Sequence, residues 1–396
     1  MKIGAIFFDS ANSSLGSAGN SSELGNGWAS IAGSSPVRVQ SIHDLPTDTI
    51  WLTNLTYSSL CQTRLNEHPN FRSDAWLKTP IKQLVAELGV DCERSPVDTA
   101  CVVVSTLAHR VVDVSNVNYG VQPRSASLAT DFAEAIKAPV TDIPDELAPV
   151  IDPIASHPAV SVIRPSGGLE STASVLLRKN RLFHADRVLS TLVPAGGAWL
   201  KEKTSTLEGQ HQWLEQVNTP FLVECSISNL DPITAEILSW GSGSSTPRNW
   251  LTNIEWDVVR QFSDIKIGRV YIYSEEGRVV DQHKLLPQGP HAPLSMTNCL
   301  IAEQLWCSLL LKRPAYAMKS NYTAAAAWLR STDRMEMFEY AKRLYAAGLD
   351  VIRYGNGNVI VNYQNGGLAR IMDVATDLGL MPPTSKFLEV ARPGGA

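Results

Sequence analysis

The sequence predicts a mixed α/β protein of more than one domain, and three observations predict it. Short apolar runs that read as buried strands, KIGAIFF (2–8) and TIWLTNL (49–55), alternate with a helix-type segment, WLKTPIKQLVAELG (76–89), over the first third of the chain. A proline-rich stretch then interrupts the pattern between Ala138 and Gly168. Near the C-terminus a long helical run, TAAAAWLRSTDRMEMFEYAKRLYAAG (323–348), feeds an Asn-Gly turn held between two β-rich segments.

The 396 residues, 44% hydrophobic and 18% charged, allow a sizeable core and two or three domains. The expected division is 1–137, a connector over 138–190, and 191–396. In the first part SANSSLGSAGNSSELGNG (10–27) is expected to be a loop, because it is rich in Ser, Gly and Asn and has no period. TACVVVSTLAHRVVDV (99–114) is expected to be a strand on its β-branched content. In the second part PFLVECSI (220–227) and GRVYIYS (268–274) are expected strands, and Gly348 stands where a helix C-cap belongs.

A net charge of −5 argues against a surface given over wholly to nucleic acid, so any basic groove must be local. Six cysteines (Cys61, Cys92, Cys101, Cys225, Cys299, Cys307) form no Cys-x-x-Cys pair and have no His at zinc-ligand spacing. They read as reduced thiols of a cytoplasmic, intracellular protein. The N-terminal apolar run is short and broken by Asp9, and no stretch approaches the length of a membrane span. Phosphate-loop, nucleophile-elbow, His-Glu-x-x-His and strand-linked Gly-x-Gly-x-x-Gly signatures are all missing. His43, His109 and His184 read as structural or surface residues.

Six stretches, in order, resemble family B DNA polymerases of the protein-primed kind. FFDSA resembles the Asp-x-Glu motif of the proofreading exonuclease, with Asp9 kept and Ala11 in place of Glu. LTNLTYSS resembles His-Asn-x-x-Phe-Asp, with Asn54 and Tyr57 matching and Ser58 replacing Asp; Asp131 is a loose match to a third acid. PAGGAW keeps Gly196 and Gly197 of Tyr-x-Gly-Gly-Arg. SISNLDP places Ser226 at a metal-binding Asp and Asp231-Pro232 at Tyr-Pro. AYAMKSNYT keeps Ser320 and Tyr322 of the nucleotide-binding helix, with Ala315 at its Lys and Lys319 at its Asn. Finally, Tyr354-Gly355-Asn356-Gly357-Asn358 stands where the family has Tyr-Gly-Asp-Thr-Asp, so both acids are Asn.

The resemblance implies a ribonuclease H-like exonuclease-type domain followed by a palm/fingers-type domain; the short stretch after the hairpin leaves the expected thumb absent or minimal. It implies a viral or mobile-element setting, and it places Ser226 beside the Asn356–Asn358 turn. Nucleotidyl transfer uses two divalent cations about 4 Å apart, held by anionic oxygens. An Asn amide offers a neutral oxygen and an N–H donor in place of that charge. Neutral residues at Ser226, Asn356 and Asn358 therefore predict an inactive site with no metal and no cofactor, Mg2+ entering only if the site is active after all. Glu224, two residues before Ser226 and on the same strand face, is the acid left over.

The expected function is binding of DNA or of a replication partner by a catalytically inactive polymerase-like protein. The nominated contacts are Lys312, Arg313, Lys319, Tyr322, Arg330, Arg334, Gly196 and Gly197. Arg330 and Arg334 fit equally a solvated helix face with Glu336 and Glu339 as local partners. Trp250 and Trp256 are candidates to stack on bases, whereas Trp328 is assigned to the core. A structural or assembly scaffold is the second reading. An active polymerase using shifted acids Glu224, Asp231 and Asp350 is the third.

Overall fold

Strand β1 (Lys2–Phe8) is buried along all but its first residue, as its unbroken apolar run requires of a central strand. In this computed structural model the described residues are 2–8, 23–55, 60, 70–72, 96–119, 131, 143–156, 159–162, 173–195, 197–202, 207–228, 233, 249–261, 264–279, 306, 322–364 and 366–380. The chain is mixed α/β and divides into two units, Met1–Lys137 with Gln282–Ser308, and Ala138–Asp281 with Leu309–Ala396.

In the first unit β1 pairs antiparallel with β2 (Glu23–Ile31), which pairs antiparallel with β3 (Val37–Ser41). On its other side β1 runs parallel to β4 (Thr49–Thr53), and β4 parallel to the short β5 (Phe71–Arg72). The sheet order is β3-β2-β1-β4-β5. Ile6, Phe8, Ala29, Val39 and Trp51 build the core on one face of it. Helix α1 (Pro96–Tyr119) lies against β1 and β2, and Ser105 Oγ sits 2.9 Å from Ser30 Oγ.

Two expectations fail in this unit. Residues 99–114 are helix, not strand: Ala100, Cys101, Val104, Ala108 and Val111 are buried, a helical period that the run of valines conceals. Pro96 opens the helix with Asp98 in its first turn. The Ser/Gly/Asn stretch also ends sooner than composition suggests, since β2 begins at Glu23. The helix expected over 76–89 lies outside the described residues.

The second unit opens with α2 (Ala148–Ser156), β6 (Ala159–Ser161), β7 (Ala173–Arg178) and α3 (Arg181–Leu189). These elements occupy the segment expected to be an extended connector. Prolines dominate its composition, but Ile151, Ile154 and Ala155 keep a helical period across Pro153 and are buried. Then follow β8 (Leu192–Val193), β9 (Trp199–Glu202), α4 (Leu207–Glu215), β10 (Phe221–Ser228), β11 (Trp250–Thr252) and α5 (Asn253–Val259). The unit is completed by β12 (Asp264–Tyr273), β13 (Arg278–Val279), α6 (Ala324–Ala346), β14 (Asp350–Gly355), β15 (Asn358–Tyr363) and α7 (Leu368–Asp377).

Its strands form two four-stranded sheets, β11-β10-β12-β9 and β6-β14-β15-β7, with β13 and β8 paired separately. Both four-stranded sheets feed one core. Phe221, Val223 and Cys225 of β10 and Ile267 and Val270 of β12 join Tyr354, Val359 and Val361 of the hairpin, with Met335, Phe338 and Leu344 of α6. Helix α6 lies against β14, α2 and α5, and its opening Ala324–Trp328 is almost completely buried. The helix ends as expected: Gly348 adopts φ 77°, its N–H donates to Tyr345 O, and the Leu349 N–H reaches back to Leu344 O. That reversal delivers the chain into β14.

Candidate functional site at the hairpin tip

The turn joining β14 and β15 has two central residues, Asn356 at φ 56° and Gly357 at φ 70°, flanked by the Gly355–Asn358 pair. Left-handed backbone at both central positions is the two-residue hairpin turn that Asn-Gly favours. In such a turn both amide hydrogens point outward together. Here both donate to one carboxylate, Asn356 N to Asp333 Oδ2 at 2.6 Å and Gly357 N to Asp333 Oδ1 at 2.7 Å. Asp333 belongs to α6 and is fully buried.

A chain of charge extends from Asp333. His184 of α3 is buried, with Nε2 2.8 Å from Asp333 Oδ1 and Nδ1 3.0 Å from Glu336 Oε2, the second contact an ion pair without hydrogen-bond alignment. Lys179, between β7 and α3, places Nζ 2.6 Å from Glu336 Oε1 and stands over the Tyr340 ring. Its backbone N–H donates to Gly357 O, so the turn is held from both sides. Burial alone would push the His184 imidazole down and the Glu336 carboxyl up. The contacts with Asp333 and Glu336 outweigh it for His184, raising it to about 9. His184 and Lys179 likewise bring Glu336 down to about 2. Two buried acids thus face an imidazolium and an ammonium.

The outer surface of the turn is polar. Asn356 is exposed and its Oδ1 accepts from Arg330 at 3.1 Å, while Asn358 Nδ2 turns back onto Asn356 O at 2.9 Å. The guanidinium of Arg187, two-thirds exposed, reaches within 3.5 Å of Glu336. Tyr354, just before the turn, is a core residue: its ring packs on Phe338 and its hydroxyl donates to Ile233 O.

Ser226 does not share a sheet with this turn. It lies in β10, in a different four-stranded sheet from the hairpin. Alternate residues Phe221, Val223 and Cys225 fill the core shared with the hairpin, so Glu224 and Ser226 occupy the opposite face of β10. Glu224 is not an open acid. It receives Arg269 Nε at 2.7 Å and Asn249 Nδ2 at 3.0 Å, and the Arg269 hydrogen bond holds its carboxyl below the usual range. Asp350 sits at the far end of β14 and accepts from Asn362, away from the tip.

Arg334 is not on a solvated helix face. Its guanidinium is buried, with Nη2 2.9 Å from Glu255 Oε1 and Nη1 2.9 Å from Ile154 O. Glu255 completes a capping box with Thr252 at the start of α5, so the pair ties α6 to α5 and α2. Glu336 is likewise buried in the tip network and is not a surface partner. Tyr322 is buried, its backbone N–H donating to Asp152 Oδ1. Trp250 and Trp256 are core residues, as is Trp328. Gly197 packs against the Tyr273 ring, where a Cβ would stand 2.8 Å from Cζ.

Lys312, Arg313, Lys319 and Gly196 lie outside the described residues, as do Asp9, Ala11, Ser58, Asp231, Ala315 and Ser320. Asn54 is buried and accepts the Phe8 N–H at 3.4 Å, so the adjacent ends of β1 and β4 are joined. Asp131 is buried as well. Among the described residues no group of three His, Cys, Asp or Glu side chains is arranged to hold a metal, and no helix is long and apolar enough to cross a membrane.

The network's four members were not singled out in the sequence, apart from His184 as structural and Glu336 as a helix-surface partner. One signal was there. Asp333 and Glu336 are three apart on one helix face, with Leu329, Met337 and Tyr340 at the adjoining helical positions, so that face carries two acids that need cations.

No protein-family model and no curated protein matches the chain. Among solved structures it is similar to phi29 DNA polymerase complexed with primer-template DNA and incoming nucleotides, at a TM-score of 0.41 and 10% identity over 93% of this chain and 82% of that one. The post-translocation binary complex of phi29 DNA polymerase with primer-template DNA gives 0.44 and 10% over the same shares. An orthorhombic crystal form of that polymerase gives 0.44 and 8% over 92% and 80%.

Proposed function

We propose that this protein carries out no nucleotidyl transfer at the hairpin and serves instead as a polymerase-like protein that binds nucleic acid. One observation carries the first half: the turn's two outward amides and its asparagines are occupied by Asp333, Arg330 and each other, with no carboxylate on the turn itself. A hard divalent cation needs several anionic oxygens, and the acid nearest the turn is buried and already accepts three hydrogen bonds. The separation of Ser226 and Glu224 onto another sheet face supports the same conclusion.

Nucleic-acid binding is supported by the ordered polymerase-like motifs and by the guanidinium groups of Arg330 and Arg187 at the tip. The three-strand meander continued by two parallel strands supports a ribonuclease H-like first domain. A scaffold role is the second reading, favoured by the burial of Arg334 and the tryptophans that would otherwise contact DNA.

Primer extension with Mg2+ or Mn2+, run beside low-salt binding to primed and single-stranded DNA, tests both halves. The expected result is binding without incorporation. Replacing Arg187 and Arg330 by Ala should lower the salt dependence, log K against log salt, by up to about two units. Incorporation abolished by Asp333→Asn would overturn the non-catalytic reading, and no DNA affinity at low salt would leave the scaffold.

A further inference from the structure

We propose that Asn356–Gly357 is a gated deamidation site, closed by Asp333 and primed by Arg330. Deamidation at Asn-Gly begins when the glycine nitrogen loses its proton and attacks the asparagine Cγ, forming a C–N bond in a five-membered imide and expelling the side-chain nitrogen as ammonia. Water then opens the ring. The net exchange is one water taken up for one ammonia released, leaving a carboxylate as Asp or its isomer. Glycine's missing side chain makes it the least hindered successor, and Asn356 is exposed.

The folded turn holds back the nitrogen and activates the carbon that it attacks. Gly357 N donates to Asp333 Oδ1 at 2.7 Å, so that hydrogen bond must break before the nitrogen can turn onto the Asn356 Cγ. A fixed carboxylate at that distance also disfavours an amide anion, as any like charge does. The other oxygen of Asp333 holds Asn356 N at 2.6 Å, which fixes the turn against the rotation that attack requires. Arg330 acts in the opposite sense. Its Nη1 donates to Asn356 Oδ1 at 3.1 Å, drawing electron density from the Cγ under attack and standing ready to pair with the carboxylate that results. Local opening at Asp333 is therefore the step that sets the rate.

The test is peptide mass mapping of residue 356 during incubation at mildly alkaline pH, for the native protein, the chain in urea, Asp333→Asn, and Asp333→Asn with Arg330→Ala. Native protein should deamidate at least about tenfold more slowly than the unfolded chain, because reaction waits on local opening. Folded Asp333→Asn should approach or exceed the unfolded rate, and adding Arg330→Ala should slow it again. Hydrogen exchange at the Gly357 amide supplies a second measure that needs no variant: across a series of sub-denaturing urea concentrations, exchange and deamidation should rise together. Equal rates in native and unfolded wild type would overturn the proposal. So would a folded Asp333→Asn as slow as wild type, or deamidation proceeding while the Gly357 amide stays protected.

Discussion

The hairpin tip and the outer face of β10 are the two places where the sequence resemblance sets the halves of a carboxylate site, and the fold treats them in opposite ways. At the tip the acids are buried, come from α6 and not from the turn, and are matched by His184 and Lys179. On β10 the remaining acid, Glu224, lies near the surface and is bound to the half-exposed Arg269, which in turn stacks over Trp250. One arrangement is part of the packed core, the other is a surface pair. The difference teaches that a turn without acids of its own need not be idle. Its backbone amides need acceptors, and one helix acid accepts from both.

Removing Asp333 should sharpen the contrast most. Asp333→Ala takes from the buried His184 its leading partner and leaves two turn amides without acceptors, so urea unfolding should show a loss of about 3–5 kcal/mol. Glu224→Gln, by contrast, should cost no more than about 1 kcal/mol, because the Arg269 pair is screened by solvent. Similar losses for the two variants would erase the distinction between core clamp and surface pair.

Next in size is the pH dependence of stability. His184 is raised from 6.5 to about 9, so its contribution is complete below about 6.5 and is lost as pH climbs through 9. Glu336 is lowered from 4.5 to about 2, so its contribution is present above 4.5 and is lost as pH falls toward 2. The groups facing them are Asp333 from α6, Lys179 beside β7 and Arg187 from α3. The urea midpoint should therefore fall on both limbs, and His184→Gln should flatten the alkaline one. An unchanged alkaline limb in that variant would remove His184 from the clamp.

Much of the second unit was legible because its signals are local. Asn-Gly demands left-handed backbone, Gly348 demands a helix end, and β10 and β12 carry apolar runs at strand length. Elements were misread where local preference and tertiary packing disagree. Valine content hid the helical period of α1, and proline content hid α2, β6 and β7. The site was harder. Arg330 and Arg334, four apart, look equivalent in sequence, yet one reaches Asn356 at the surface and the other is sealed against Glu255, 79 residues away in the chain. Asp333 meets His184 across 149 residues, and no spacing rule spans such a distance.

The proposed function makes the Asn356–Asn358 turn a clamped structural turn and not a cation site. Titration of Mn2+ followed by paramagnetic broadening of the Asn356, Gly357 and Asn358 amide resonances tests it directly. The clamp predicts that these signals broaden no more than those of exposed amides elsewhere in the protein, in wild type and in Asp333→Asn alike. Selective broadening at the turn in wild type, abolished by Asp333→Asn, would show that Asp333 holds a cation there and would contradict the account.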